Sequence, residues 1–329
     1  MSTQRALAMA ATHRDLISVA DLTPEEVEYI LNLTAQVKAQ PANFHGRLAG
    51  RHIALFFEKP SLRTRLTFEA GIAGLGGTSS FVDQRGARID ERESLPDIAR
   101  NLERWVQAIV LRTFAHATVT AMAEHAGVPV INALTDHEHP CQALADFFTL
   151  REHFGDLRHV HLAYVGDGNN VAHSLLLAAA ALGSRISVAT PSGYEPDKCV
   201  VETALQLAAR TGAALELVHD PVEAVRHADA VYTDVWTSMG RESEAAGRQT
   251  VFAPYQVNEK LFAQAAPKSV FMHCLPAHRG EEVAGAVMDS PASVVFDQAE
   301  NRLHVQKAVL IFLLGDGQNR FAARSAHVR

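Results

Sequence analysis

The stretch VHLAYVGDGNNVAHSLLLAAAALGSRISVA, residues 160–189, contains the pattern that decides the fold. Apolar runs at 160–165 and 185–189 predict two buried strands, and residues 171–182 between them predict a helix. Alternation of short buried strands with helices is typical of a parallel sheet whose two faces are covered by helices. The stretch therefore predicts an α/β protein.

The same alternation continues on both sides of this stretch. Further strands are predicted at 53–57, 108–111, 128–132, 215–218, 230–232, 270–273 and 294–296, and further helices at 62–75, 119–127, 200–211, 222–228 and 300–314. A helix that Pro140 opens joins the two series of strands, and we place the domain boundary at Arg151. The apolar character of 300–314 on several sides predicts a buried helix, and Gly240–Thr250 reads as a polar loop and a candidate mobile lid.

Length and composition exclude several classes of protein. The 329 residues predict about two domains, and 30 Lys plus Arg against 37 Asp plus Glu leave a net charge of −7. An acidic chain with scattered basic residues has no electrostatic footprint for nucleic acid or an anionic membrane. Three widely spaced cysteines, Cys141, Cys199 and Cys274, indicate neither a disulfide framework nor a zinc site. We expect a cytoplasmic protein without a metal or other cofactor.

The segment Ser61-Leu62-Arg63-Thr64-Arg65 lies between a predicted strand and a predicted helix. Free backbone N–H groups and the positive end of a helix dipole suit a phosphate at such a turn. Hydroxyl groups and a planar guanidinium add donors that hold phosphate oxygens. The alternative is a serine-capped helix with surface arginines, and the spacing alone leaves both open.

A second cluster, His139-Pro140-Cys141-Gln142, opens the linking helix. Its imidazole could donate to a carbonyl oxygen, and its amide could bind as donor or acceptor. The alternative is that His139 only caps the helix. Because no second His or Asp group stands at helical spacing, Asp136, His137 and His139 do not form a recognisable metal motif.

The segment Gly166-Asp167-Gly168-Asn169-Asn170-Val171 resembles the start of a dinucleotide fingerprint. Its third small position holds Val171, and the next predicted strand ends without an acidic residue for a ribose hydroxyl. A nicotinamide-dependent dehydrogenase is therefore a weak alternative. Asn170, at a helix start beside a sheet edge, is instead a candidate for holding a substrate carboxylate.

Two further segments follow predicted strands, where ligands of open α/β sheets usually bind. Asp234 in the segment 234–240 could bind a substrate amine, and Ser238 a carboxylate or an ammonium group. Cys274 in His273-Cys274-Leu275-Pro276 places a thiol at the same edge. A solvated turn and an inert buried thiol are the respective alternatives.

Taken together, the ordered segments 56–69, 136–146, 165–177, 234–242, 271–282 and 297–307 resemble the aspartate/ornithine carbamoyltransferase family. The resemblance implies two doubly wound parallel-sheet domains, 1–151 for carbamoyl phosphate and 152–299 for ornithine, with a C-terminal helix in 300–329 that packs back on the first. It also implies transfer of a carbamoyl group to the δ-amine of L-ornithine, and a homotrimer with shared active sites.

The family's site residues carry over position by position. The resemblance implies that carbamoyl phosphate is bound by Ser61, Leu62, Arg63, Thr64, Arg88, Arg112, His139, Gln142, Cys274, Leu275 and Arg302. It implies that ornithine is bound by Asn170, Asp234, Ser238 and Met239, and that His139, Arg112, Asp234 and Cys274 are catalytic. No metal is implied.

Two of these positions depart from the family pattern. Leu62 stands where the family usually has Thr, so that only its backbone N–H remains for the phosphate. Arg88 stands where a neighbouring subunit usually offers Gln or His; either it supplies a cation across the interface, or the role is vacant. Acylated ornithine and putrescine remain alternative acceptors, and a catalytically silent binding homologue is a further alternative.

Overall fold

The structure is a computed structural model that describes residues 14–84, 89–91, 93–238, 240 and 242–315. Two parallel sheets form its framework. The first has the strands β1 (His52–Phe57), β2 (Thr78–Asp83), β3 (Ala108–Arg112) and β4 (Val130–Leu134), in the order β2-β1-β3-β4. The second has β5 (His161–Val165), β6 (Arg185–Ala189), β7 (Ala214–Val218), β8 (Ala230–Thr233) and β9 (Val270–His273), in the order β7-β6-β5-β8-β9. The predicted α/β class with two parallel sheets is confirmed.

Helices cover both sheets. They are α1 (Pro24–Ala39), α2 (Leu62–Gly74), α3 (Leu95–Leu102), α4 (His116–His125), α5 (Pro140–Phe154), α6 (Asn170–Leu182), α7 (Lys198–Thr211), α8 (Pro221–Val225), α9 (Ala245–Phe252), α10 (Glu259–Phe262), α11 (Gly285–Met288) and α12 (Val295–Leu314). Short 3₁₀ turns occupy Val19–Asp21, Pro41–Phe44, Leu157–His159, Glu242–Glu244 and Ala253–Tyr255. None of the helices in the described ranges is long and apolar enough to cross a lipid bilayer.

Local sequence explains where the helices next to the site begin. The Asn169 side-chain oxygen accepts hydrogen bonds from the backbone N–H groups of Val171 and Ala172, and so caps α6. Helix α5 has Pro140 at its first position, where the missing N–H is no loss. Helix α5 follows the carboxyl end of β4, and α6 follows that of β5. The free N–H groups of their first turns therefore lie near this edge of the sheets.

Helix α12 packs the end of the chain against the first domain. It contacts α1, α2 and α5, and its residues Val305, Val309 and Phe312 are buried. The prediction that the C-terminal helix is buried and packs back on the first domain is confirmed. The helix begins at Val295 and carries Arg302 into the space beside α2.

Two predicted elements are wrong. The apolar run Val294–Phe296 forms no strand; Val295 is the first residue of α12, because this short valine-rich run packs as a helical turn. The segment Gly240–Thr250 is mostly helical where it is described, since a 3₁₀ turn at Glu242–Glu244 leads into Ala245–Phe252. Its polar residues include Arg248, which is buried, so that polarity here does not mean a solvated loop.

The sequence reasoning also missed β2, α3 and the two four-residue helices α10 and α11. Strand β2 lies at the edge of its sheet and alternates between exposed and partly buried residues, and it therefore lacks the apolar run that revealed the central strands. Helix α3 carried a usable signal: Ser94 caps it by accepting from the backbone N–H of Asp97, and Pro96 lies in its first turn.

Candidate active site

The first half of the site is the N-terminus of α2. The Ser61 hydroxyl oxygen accepts a hydrogen bond from the backbone N–H of Thr64 at 3.1 Å, as expected of a cap. The Leu62 side chain has no polar group and is 72% exposed. Only its backbone N–H can therefore bind a phosphate. Arg63 is partly buried. The turn therefore combines a capped helix with free N–H groups, and the two interpretations of this segment are compatible.

Two buried arginines meet above this turn. Arg112, from the end of β3, and Arg302, from α12, both donate to the Thr64 hydroxyl oxygen, at 3.5 and 2.6 Å. Within the described ranges, no carboxylate lies at ion-pair distance from either guanidinium, and the Nε atom of each has no acceptor. Two buried positive charges without a carboxylate partner in the described part of the chain favour a bound anion.

Burial and like charge act together on these cations. Burial, together with the positive charges of Arg302 and Arg63, lowers the pKa of Arg112 to about 9. Burial also lowers the pKa of Arg302. A guanidinium stays protonated in proteins, so burying these two charges destabilises the folded protein. A bound anion would relieve this destabilisation.

His139 lies at the start of α5 with its imidazole buried. Its side chain makes no capping hydrogen bond, which disfavours the interpretation that it only caps the helix. Its backbone N–H donates to the Ser174 hydroxyl oxygen at 2.9 Å, while no described residue partners its Nδ1 atom. Burial and the positive charges of Arg302, Arg112 and Lys59 hold the pKa of His139 well below its usual value. The imidazole is therefore neutral at physiological pH and can serve as a hydrogen-bond donor without carrying charge.

Gln142 lies in the first turn of α5. Its Nε2 atom donates to Asp146 Oδ1 at 2.8 Å, and its buried Oε1 atom has no partner in the described part of the chain. The side chain therefore has a buried acceptor that no described residue satisfies.

The second half of the site lies at the carboxyl ends of β5, β8 and β9. Asp234, just past β8, accepts from Asn169 Nδ2 at 2.8 Å and from the Cys274 thiol at 3.0 Å. Burial and the Asp234 charge raise the pKa of Cys274 well above its usual value. The thiol is therefore protonated and orients the carboxylate, a role that does not fit a thiolate nucleophile.

Other predicted residues occupy the same edge of the sheet. Asn170 Nδ2 donates to the backbone oxygen of Thr135 at 2.6 Å, so one of its two N–H groups is already bonded. Ser238 is partly buried after β8. Arg88 and Met239 lie outside the described residues, and their predicted roles stay predictions.

The segment after β9 is held in an unusual backbone conformation. Leu275 has φ of 61°, in the left-handed region that a leucine rarely adopts. Its N–H donates to His273 Nδ1 at 2.9 Å, which leaves the ring proton on Nε2, facing Glu282 Oε1 at 3.2 Å. Asp234, His273 and Cys274 offer atoms close enough for a metal, but both nitrogens of His273 are already bonded. The absence of a metal stays a prediction.

Sequence reasoning missed three polar residues that shape the site, of which Lys59 and Arg248 are buried and Asn169 is partly buried. Asn169 was not predicted as the N-cap of α6, although Asn is a favoured residue at this position. Lys59 forms an ion pair with Asp136 and lies 4.6 Å from the centre of the Phe114 ring. Arg248 forms an ion pair with Asp167 and donates to the backbone oxygen of Trp236 at 2.5 Å. The sequence does not indicate that Lys59 and Arg248 are buried, because a single basic residue in a polar stretch is usually exposed to solvent.

Comparison with known proteins agrees with this geometry. Residues 14–152 match the carbamoyl-P binding domain of aspartate/ornithine carbamoyltransferase, and residues 158–313 match the Asp/Orn binding domain of the same family. The chain belongs to the aspartate/ornithine carbamoyltransferase family.

Individual relatives agree over nearly their whole length. The ornithine carbamoyltransferase of Pyrococcus abyssi is 51% identical over 310 residues, which cover 94% of this chain and 98% of that protein. That of Parafrankia sp. is 52% identical and covers 93% and 97%. The solved structure of ornithine carbamoyltransferase from Pyrococcus furiosus has a TM-score of 0.89 at 50% identity and covers 92% of this chain and 97% of that one. The solved ornithine transcarbamoylase from Giardia lamblia has a TM-score of 0.86 at 34% identity, with coverage of 93% and 99%.

Proposed function

We propose that this protein transfers the carbamoyl group of carbamoyl phosphate to the δ-amine of L-ornithine, giving L-citrulline and phosphate. The observation that carries the proposal is the pair of buried guanidinium groups of Arg112 and Arg302 above the N-terminus of α2, neither of which has a carboxylate partner among the described residues. Two guanidinium groups at a helix N-terminus suit the phosphate of a small acyl phosphate. The names of relatives at about 50% identity over nearly the whole chain support ornithine as the acceptor.

Each candidate residue has a role in this reaction. Ser61, the backbone of Leu62, Arg63 and Thr64 would bind the phosphate together with the guanidinium of Arg112. The carbamoyl group would lie beside His139, Gln142 and Arg302 of the first half and beside Cys274 and Leu275 of the second half. This arrangement would place the carbamoyl carbon between the two domains, where the acceptor can reach it.

The ornithine side of the site would use carboxylate and amide groups. Asp234 would bind and orient the amine, while Asn170, Ser238 and Met239 would hold the rest of the amino acid. A putrescine acceptor has no carboxylate for Asn170. The segment 81–94 contains no Trp for an acylated ornithine, although this residue type is expected in enzymes that use that acceptor.

The chemistry needs positioning and electrostatics. The neutral δ-amine attacks the carbamoyl carbon, the new C–N bond forms, the C–O bond to phosphate breaks, and the amine loses one proton. Negative charge grows on the carbonyl oxygen in the transition state, where the donors His139, Arg112 and Arg302 bind it more strongly than in the ground state. A neutral His139 donates a hydrogen bond from a ring N–H to the carbonyl oxygen and, because it carries no charge, does not compete with the arginines for the phosphate.

Further parts of the proposal concern assembly and setting. We propose a homotrimer in which Arg88 of one subunit reaches the phosphate site of its neighbour, and a cytoplasmic role in arginine biosynthesis. The domains are proposed to divide at 151 and at 299; α12 begins five residues before the second boundary, at Val295. The relative from Pyrococcus furiosus named "anabolic" supports the biosynthetic direction.

One assay tests the activity. Purified protein is mixed with carbamoyl phosphate and, in separate reactions, with ornithine, acetylornithine, aspartate or putrescine, and ureido product and phosphate are measured. We expect equal amounts of both products with ornithine alone. Turnover of another amine would transfer the proposal to that acceptor, and a folded protein inactive with all four would favour a silent binding homologue.

The neighbour's contribution has its own test. Arg88→Ala should weaken carbamoyl phosphate binding if the side chain reaches across the interface. Unchanged apparent affinity for carbamoyl phosphate would remove Arg88 from the site.

A further inference from the structure

A buried carboxylate outside the proposed substrate contacts joins the two halves of the site. Asp146 lies on α5 and is fully buried, and its Oδ1 atom accepts from two glutamine amides. Gln142 Nε2 donates to it at 2.8 Å and Gln298 Nε2, from α12, at 2.7 Å. Both glutamines are also buried, so no solvent competes for these bonds.

The carboxylate decides which way each amide points. The oxygen and nitrogen of a glutamine amide are nearly the same size, and its hydrogen-bond partners decide their order. The backbone N–H of His273 donates to Gln298 Oε1 and so fixes the Gln298 nitrogen towards Asp146 Oδ1, which must therefore accept even when Oδ2 carries a proton. An inverted Gln142 amide would set two oxygens against each other at hydrogen-bond distance. Each glutamine must therefore turn its nitrogen towards Asp146 and its oxygen away.

The outward oxygens have different partners. Gln298 Oε1 accepts from the backbone N–H of His273 at 3.0 Å and so tethers the segment that carries Cys274. Gln142 Oε1 has no partner among the described residues, although it is buried. It lies in the first turn of α5, in the helix that His139 opens. A buried acceptor without a donor among the described residues, three residues after His139, can accept a hydrogen bond from a ligand.

We propose that Asp146 is a positioning residue that holds the Gln142 amide with its oxygen towards the bound acyl phosphate, so that the site selects an acyl group bearing N–H donors over one bearing a methyl group. The inference rests on the proposed role of Gln142 in the carbamoyl phosphate site. Gln142 would accept a hydrogen bond from the carbamoyl NH₂ group. Arginines and backbone N–H groups bind phosphate and carbonyl oxygens equally well in both kinds of acyl phosphate, so they cannot make this distinction.

The test compares equilibrium binding of carbamoyl phosphate and acetyl phosphate, without any amine acceptor. Acetyl phosphate replaces the NH₂ group by a methyl group that donates nothing to Gln142. In Asp146→Leu, which lacks the acceptor, the Gln142 amide is free to invert. We expect carbamoyl phosphate to bind about 3- to 10-fold more weakly, as for loss of one neutral hydrogen bond, and acetyl phosphate to bind as in the parent.

Two further variants separate positioning from general damage. Asp146→Asn can still present one oxygen to both glutamines and should restore most of the preference. Thr149→Val removes a buried hydrogen bond between the same helices, from Asn301 Nδ2 to Thr149 Oγ1 at 3.0 Å, without touching Gln142. It should lower the melting temperature and leave the ratio of the two affinities unchanged.

The outcomes decide between the alternatives. An unchanged ratio in Asp146→Leu, or the same change of ratio in Thr149→Val, would overturn the inference. If the leucine variant does not fold, Asp146→Ser replaces it, since its hydroxyl is too short to reach the Gln142 amide and the same loss of ratio is expected. The parent's turnover of ornithine is measured separately, so failure of the proposed activity would not be confused with failure of this inference.

Discussion

Replacing Arg112 by methionine should make the ligand-free protein more stable while it impairs anion binding. The guanidinium is buried at the end of β3, its Nε atom has no acceptor among the described residues, and its bond to Thr64 Oγ1 is long at 3.5 Å. Methionine fills a similar volume without charge. The change therefore removes an unpaired buried charge at the loss of one weak hydrogen bond.

The expected gain follows from the electrostatic penalty on the charge. Lowering the pKa of Arg112 from 12.5 to about 9 corresponds to roughly 5 kcal/mol on the charged form, as an order of magnitude. Part of this penalty is offset by the bond to Thr64 and by relaxation around the site. We expect a net gain of about 1–3 kcal/mol, and about 2–4 °C in melting temperature for each kcal/mol in domains of this size.

The assay is thermal unfolding with and without inorganic phosphate. An anion bound to the folded state at about 100 times its Kd stabilises the parent by about 2.7 kcal/mol. Arg112→Met should show a smaller phosphate effect at the same concentration, because one of the cations is gone. The variant should therefore be the more stable protein in phosphate-free buffer and lose most of that advantage in saturating phosphate.

Arg248 provides the matched control. It is also buried, but it is paired with Asp167 and bonded to the Trp236 backbone, so Arg248→Met removes a cation from a buried ion pair. This variant should be destabilised by about 3–5 kcal/mol, with or without phosphate. If Arg112→Met lowers the melting temperature in phosphate-free buffer as Arg248→Met does, the reasoning from unpaired charge is refuted.

Three further predictions concern other buried groups. Asp234→Asn should lower kcat/KM for ornithine by about 10- to 100-fold through loss of a charged acceptor, while carbamoyl phosphate binding stays as in the parent; equal losses for both substrates would contradict the assigned role. At pH 8, iodoacetamide should modify the exposed Cys199 and spare Cys274, whose pKa is raised by burial and by Asp234, as mass spectrometry of the peptides would show. Burial raises the pKa of Glu138 to about 7, so the folded state holds its proton more tightly than the unfolded chain, and this stability is lost as pH rises from about 4.5 through 7. Glu138→Gln should therefore gain on the order of 2–3 kcal/mol relative to the parent between pH 5 and pH 8 in urea unfolding, and a constant difference would argue against a buried, proton-binding carboxyl group.

Much of the fold was predictable because its signals are local. The buried strands β5 and β9 appear as short apolar runs. Thr23 and Glu26 have the spacing of a capping box, which indicates the start of α1, and both of its hydrogen bonds are formed in the structure. The wrong strand at Val294–Phe296 shows the limit, since a short apolar run fits a strand or a buried helical turn equally well.

The kinds of side chain in the site were also predictable, because hydrogen-bond donors and acceptors follow the predicted strands and stand at the starts of the predicted helices. Ser61, Asp234 and Cys274 stand there because parallel strands end at one edge of the sheet, a rule that needs no coordinates. The roles given to Arg112 and Arg302 came from resemblance to a family, since nothing in their immediate surroundings marks them.

Only the tertiary structure decided the state of these groups. It brought Arg112 and Arg302 onto the same hydroxyl, kept His139 neutral, turned the Gln142 oxygen away from Asp146 and buried Arg248 in a segment that looked like a solvated loop. Periodicity and capping are properties of neighbours along the chain, which the sequence by itself determines. Desolvation, charge repulsion and amide orientation depend on neighbours in space, and those exist only once the two sheets and α12 have packed together.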